Sequence, residues 1–220
     1  MELSQIEDCL NSPDPQKRMR GITELRHYTP EIVVPLLKRL ISDREFIVRS
    51  FAVMGLGRKQ TPEAFQMLLN LLEYETDPNV RAAVASSLAN YGESAIPHLL
   101  NLFERDFNWL VRHSILASID GNEFPEVLLK LCLLGLEGND LEVQLASIGH
   151  LEQLKGTNQE AEALFILLSR VNASSGEIRV QVARVLSSFN DAKAKAALLE
   201  LRHDSDYRVV GATLEGLMDK

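Results

Sequence analysis

Apolar residues along this chain recur at three- and four-residue spacing in short runs, each closed by a polar turn before the next begins. Ile32, Val33, Leu36, Leu37 and Leu40 form one such stripe, with Lys38 and Arg39 turned away from it, so the spacing predicts an amphipathic helix opening at Pro30. Pro30 and Pro62 suit a first helical position, where the missing N–H costs nothing, and Thr29 and Thr61 stand where a hydroxyl caps a helix. A second kind of helix follows each polar turn, from Phe46 to Gly57 and from Asn79 to Tyr91. Its small residues, Ala52, Ala82, Ala83, Ala85 and Ala89, allow close helix stacking. Further pairs run through Ala95 to Ile119, Glu126 to Leu154, Ala161 to Leu186 and Ala192 to Leu217.

The pairs repeat. Arg18, Arg49, Arg81 and Arg112 are spaced by 31 or 32 residues, Gln144 takes the same slot, and Arg179 lies beyond it. An Asp precedes the Arg, an apolar residue adjoins it, and another apolar residue follows seven later, as in Asp43/Val48/Arg49/Leu56, Asp77/Val80/Arg81/Leu88 and Asp106/Val111/Arg112/Ile119. A period of this size predicts an all-α solenoid of about seven two-helix repeats. It is expected to form one domain over residues 1–220, with the terminal units as caps. The 35-residue step from Gln144 to Arg179 places a loop insertion near 172–176, in Asn172-Ala173-Ser174-Ser175-Gly176. In the last unit either Tyr207-Arg208 or Val209-Val210 fits the register. Because they recur, Asp43, Arg49, Asp77, Arg81, Asp106, Arg112 and Arg179 are expected to bond between neighbouring units as a structural ladder.

Charge narrows the partners. The net charge is −8, and residues 61–176 carry six basic against sixteen acidic side chains, which argues against nucleic acid or an anionic membrane surface as the main ligand. No apolar run is long enough to span a bilayer, and the start Met1-Glu2-Leu3 lacks a basic region followed by an apolar stretch, so a cytoplasmic protein is expected. Cys9 and Cys132 read as two small core thiols. His27, His98, His150 and His203 are scattered without ligand spacing, so no metal site is expected. Nucleotide-binding, hydrolase-elbow and zinc-protease motifs do not occur in the sequence.

The run Asp77-Pro78-Asn79-Val80-Arg81-Ala82-Ala83-Val84, with an apolar residue near the helix end, resembles a HEAT repeat, and the short unit is similar to the phycobilisome-lyase HEAT-like subclass. That subclass includes cyanobacterial bilin-lyase subunits and phycobilisome-degradation proteins. The resemblance implies a phycobiliprotein partner, and attachment or removal of its bilin. No cofactor is implied, with bilin as a ligand or substrate. The other reading is a scaffold without chemistry that holds some other protein on a concave face.

Bilin chemistry calls for acid and base groups, cations for the propionates and an aromatic platform. One segment holds these types together: Phe107, Trp109, Arg112 and His113, with Asp120 seven residues further on a similar helical face. Trp109 also fits a role in packing against the next unit. The second helices should present Val53, Ser86, Asn90, Trp109, Leu116 and Asp120 on the concave side.

Overall fold

The computed structural model describes residues 1–218, with side chains through Glu215, and among these residues it is all-helical. The α-helices are α1 (Leu3–Leu10), α2 (Pro15–Glu24), α3 (Pro30–Leu40), α4 (Phe46–Lys59), α5 (Pro62–Tyr74), α6 (Pro78–Ala89) and α7 (Ile96–Arg105). They continue with α8 (Trp109–Ser118), α9 (Pro125–Glu137), α10 (Leu141–His150), α11 (Glu160–Ser169), α12 (Gly176–Ser188), α13 (Ala192–Leu201) and α14 (Tyr207–Met218). Short 3-10 turns lie at Leu25–His27, Gly92–Ala95 and Leu151–Leu154. These helices make seven antiparallel pairs, as the period predicts. They gather into two compact units, Met1–Ser118 with α1 to α8 and the remainder from Ile119 with α9 to α14. No described helix is long and apolar enough to cross a membrane.

Local chemistry sets the helix starts. Proline occupies the first turn of α2, α3, α5, α6 and α9, where its lack of an N–H costs no hydrogen bond. Asp14, Thr61, Asp77, Asp140, Ser175 and Asp191 cap their helices by accepting first-turn N–H groups. Thr29, expected as a cap, accepts no backbone N–H from α3. In α3 the buried stripe is Val33, Val34, Leu37 and Leu40, and Ile32 is turned outward. Residues 170–175 join α11 to α12, and Gly176 already belongs to α12 behind its cap Ser175. In α14, Val209 is fully buried as Val48, Val80 and Val111 are, so Val210 takes the arginine slot and fixes the register.

In the first unit the second helices pack on one another in series, α2 on α4, α4 on α6 and α6 on α8; in the second unit α10, α12 and α14 do the same. Small residues make this possible. A Cβ placed on Gly57 would meet Ser87 Cβ at 2.5 Å and Ser87 Cα at 2.9 Å, so α4 and α6 touch almost backbone to backbone. Covered by two neighbours and by its own first helix, a second helix keeps only a narrow open strip. Val53 and Leu116, expected on an exposed face, are therefore completely buried. The open strip carries Ser86, Ser114 and Ser118, whose hydroxyls bond in a row at 2.8 and 3.2 Å.

Four arginines link consecutive pairs. Arg18 reaches Asp43, Arg49 reaches Glu75, Arg81 reaches Asp106 and Arg179 reaches Asp204, with Nε to carboxylate distances of 2.7 to 2.8 Å. Each Nη1 also bonds a carbonyl of the turn before its own helix, for example Ser12, Asp43, Thr76 and Ala173. Each acid accepts the N–H two residues on, from Glu45, Asp77, Asn108 and Asp206. One ion pair thus fixes two turns and the spacing between pairs. Asp77 has a different part: its carboxylate caps α6 by accepting from the Asn79 N–H at 2.8 Å, and Glu75 receives the arginine. The reason is the short turn into Pro78, which puts Asp77 at the cap position.

The links carry a pH signature. Hydrogen bonds from Arg179 hold the Asp204 carboxyl below its ordinary value against the opposing effect of burial. At Glu75 burial pushes the pKa up, and the Arg49 guanidinium with the Asp77 N–H outweighs it, leaving the carboxyl lowered. A lowered folded-state pKa contributes stability that is present above the unfolded value, about 4, and is lost as pH falls through the folded one. The Tm is expected to hold from neutrality to about pH 5 and to drop below about pH 4, with a shallower drop in Arg179→Gln. A Tm that rises on acidification contradicts this assignment.

Candidate partner-binding site

The segment from Asp106 to His113 is the turn between α7 and α8 and the first turns of α8, all within the first unit. Asp106 accepts the N–H of Asn108 at 3.0 Å, and Asn108 accepts that of Leu110 at 3.0 Å, which draws the chain into the helix. Val111 is buried as an anchor, so the flanking side chains are directed by the helix: Phe107 stands 80% exposed and Trp109 46% exposed.

Arg112 occupies the register of the linking arginines but is used differently. Its Nε donates to the carbonyls of Asp106 at 2.8 Å and Phe103 at 3.1 Å. Its guanidinium lies 5.2 Å from the Phe103 ring centroid and 5.1 Å from that of Phe107. Arg112 forms no ion pair with a described carboxylate of its unit. A cation laid between a buried ring and an exposed one holds Phe107 against the surface without covering it. Phe107 and Arg112 therefore form a pre-set aromatic and cationic edge, with the exposed Trp109 two residues along the chain from Phe107, a composition enriched where proteins bind proteins.

His113 is exposed on α8 and makes no hydrogen bond or ion pair among the described residues. Asp120 lies in the second unit, where its carboxylate accepts the backbone N–H of Asn122 at 2.8 Å and its side-chain amide at 3.3 Å. The structure thus brings Phe107 and Arg112 into contact and gives Asp120 a local turn to stabilise. No group of three or more His, Cys, Asp or Glu among the described residues is placed to hold a metal ion.

A further exposed position recurs at the start of several second helices. Trp109 is the first residue of its second helix, and the same position in α4 holds Phe46, 42% exposed. In the second unit this position holds Leu141 and Tyr207, both exposed, whereas Gly176 takes it in α12, and Pro15 and Pro78 take it in α2 and α6. The signal was available as a large apolar residue three before the arginine slot, at Phe46 before Arg49 and Trp109 before Arg112.

The thiols take no part. Cys132 is buried in α9 and burial pushes its pKa up to about 12, whereas Cys9 is half-buried. In the folded protein at pH 8, Cys9 is expected to react with a disulfide reagent and Cys132 only after denaturation; native labelling of Cys132 in a peptide map contradicts this.

Residues 33–120 match a family model described as HEAT repeats. No protein of curated function matches the chain by sequence. Among solved structures, YibA of Escherichia coli aligns with TM-score 0.65 and 16% identity, covering 96% of this chain and 80% of YibA. The CpcE and CpcF complex of phycocyanin lyase from Nostoc sp. PCC7120 aligns with TM-score 0.54 and 20% identity, covering 100% of this chain and 88% of that one. A mutant of Kap121p aligns with TM-score 0.66 and 14% identity over 98% of this chain and 29% of its own length. At these identities the likeness is one of fold.

Proposed function

We propose that this protein, a solenoid whose residues 33–120 match a HEAT-repeat model, binds a phycobiliprotein through the surface of Phe107, Trp109 and Arg112, in phycobilisome degradation or in attachment or detachment of the bilin. The observation that carries a binding role is the exposure of two aromatic side chains two residues apart, Phe107 and Trp109, the first of them held against a guanidinium whose position is already fixed. Pre-organised aromatic groups lose little entropy on binding and contribute most where they are central to a contact. The choice of client is supported by the repeat pattern and by the likeness in fold to a phycocyanin lyase.

Within this reading, binding is favoured over chemistry by His113, the one acid–base candidate on α8, which no described neighbour orients. That same observation favours the second reading, a scaffold for another protein client. Trp109→Ala separates a contact residue from a packing residue. The expected result is a loss of client affinity of about tenfold or more with a Tm change within about 2 °C. A large drop in Tm with unchanged affinity overturns the assignment of the edge.

A further inference from the structure

Away from that edge, the first unit contains a cavity of about 340 Å³ where α2, the turn at Leu25–His27, α3 and α4 meet. This is within the range of about 300 to 1,000 Å³ typical of small-molecule sites. Its floor is apolar: Leu25, Val33 and Leu37 are almost wholly buried, and Phe51 and Met54 complete the wall. Gly55 keeps the cavity open beside Leu37, because a Cβ there would meet Leu37 Cδ1 at 2.6 Å.

The rim carries Arg26, Arg58 and Lys59, and no carboxylate lines the cavity. Lys59 Nζ is anchored on the carbonyls of Tyr28 at 2.6 Å and Arg26 at 3.1 Å, neutral groups that fix its place and leave its charge uncompensated. Arg26 donates its Nε to His27 Nε2 at 2.8 Å, which leaves both Nη groups available. Arg58 makes no hydrogen bond or ion pair among the described residues. The nearby acid Glu24 faces the Met1 amino group at 3.5 Å. The contrast with the open groove of the second unit is plain: there Arg184 faces Glu215 at 3.3 Å and Arg208 faces Glu177 at 3.4 Å, so the cations are already matched.

An apolar cavity ringed by three unmatched cations fits a molecule with the opposite arrangement. We infer that this cavity binds a soluble organic anion with an apolar body, its carboxylate or phosphate head held by Arg26, Arg58 and Lys59. The apolar body displaces water from Leu25, Val33, Leu37 and Phe51, and the head remains at the rim, where guanidinium groups bond it in a forked geometry.

The test uses the whole protein with methyl-labelled methionine, and the Met54 resonance, assigned through Met54→Leu, as the reporter. Decanoate and decyl phosphate are the probes and decanol is the uncharged control. The expected result is a saturable shift of Met54 with at least one of the anions, and affinity for decanol weaker by about tenfold or more. Arg26→Gln with Arg58→Gln is expected to weaken the anions by about tenfold and leave decanol unchanged, since neither guanidinium supports a packed element. Response to only one anion identifies the head group. Equal binding of decanol and the anions, an unchanged double variant, or a Met54 signal that no probe moves overturns the inference.

Discussion

Replacing Arg49 with alanine lowers the stability of the first unit by about 3 kcal/mol, the scale for removing one member of a buried ion pair. The side chains of Arg49 and Glu75 are 16% and 6% exposed, and two bonds join them, Nε to Oε2 at 2.8 Å and Nη2 to Oε1 at 3.0 Å. Deleting the arginine strands a buried carboxylate and frees the Asp43 carbonyl, which accepts from Nη1 at 2.8 Å. The consequence reaches two turns, since Glu75 also holds the N–H of Asp77. Urea unfolding followed by circular dichroism measures the loss. Glu75→Ala should cost a similar amount and the double variant much less than the sum, because both changes remove one interaction. Strict additivity, or a single-variant loss under about 1 kcal/mol, contradicts the role given to this link.

Gly57→Ala is expected to destabilise the protein by about 2 kcal/mol, although alanine is the better helix former by about 1 kcal/mol. The sign is the test. An added methyl group would lie 2.5 Å from Ser87 Cβ, 2.8 Å from its Oγ and 2.9 Å from its Cα, and neither the Cβ nor the backbone can swing aside. Pushing α4 from α6 also strains the bond from Ser87 Oγ to the Val53 carbonyl, 3.3 Å in the native packing. Ser87→Gly in the same chain should restore part of the loss. A stabilising Gly57→Ala would mean that α4 and α6 are not in close contact here.

These two sites also mark how far the sequence carries. The recurrence of Arg49, Arg81 and Arg179 reports a geometric requirement repeated once per pair, and period alone is enough to find it. The choice of partner is not periodic in residue type. Glu75 and Asp77 are both acids in one turn, and what separates them is that Asp77 adjoins Pro78 and caps α6, while Glu75 sits two residues earlier as Asp43, Asp106 and Asp204 do before Glu45, Asn108 and Asp206. Arg112 has the right register and a different environment, because Phe103 and Phe107 flank it. Val53 and Leu116 look surface-directed when a helix is considered alone, and become buried once two further helices close on it. The cavity at Arg26 and Arg58 lies between residues of four elements, and no local motif brings them together.

The central functional claim concerns a phycobiliprotein client held at Trp109. It is tested most directly by titrating the protein and its Trp109→Ala variant with holo- and apo-phycocyanin, following complex formation by sedimentation and the chromophore by its visible absorption. The account predicts a complex with at least one form that Trp109→Ala weakens; a change in bilin absorption or release of bilin would add action at the chromophore to binding. A chain that forms no complex with either form contradicts the account.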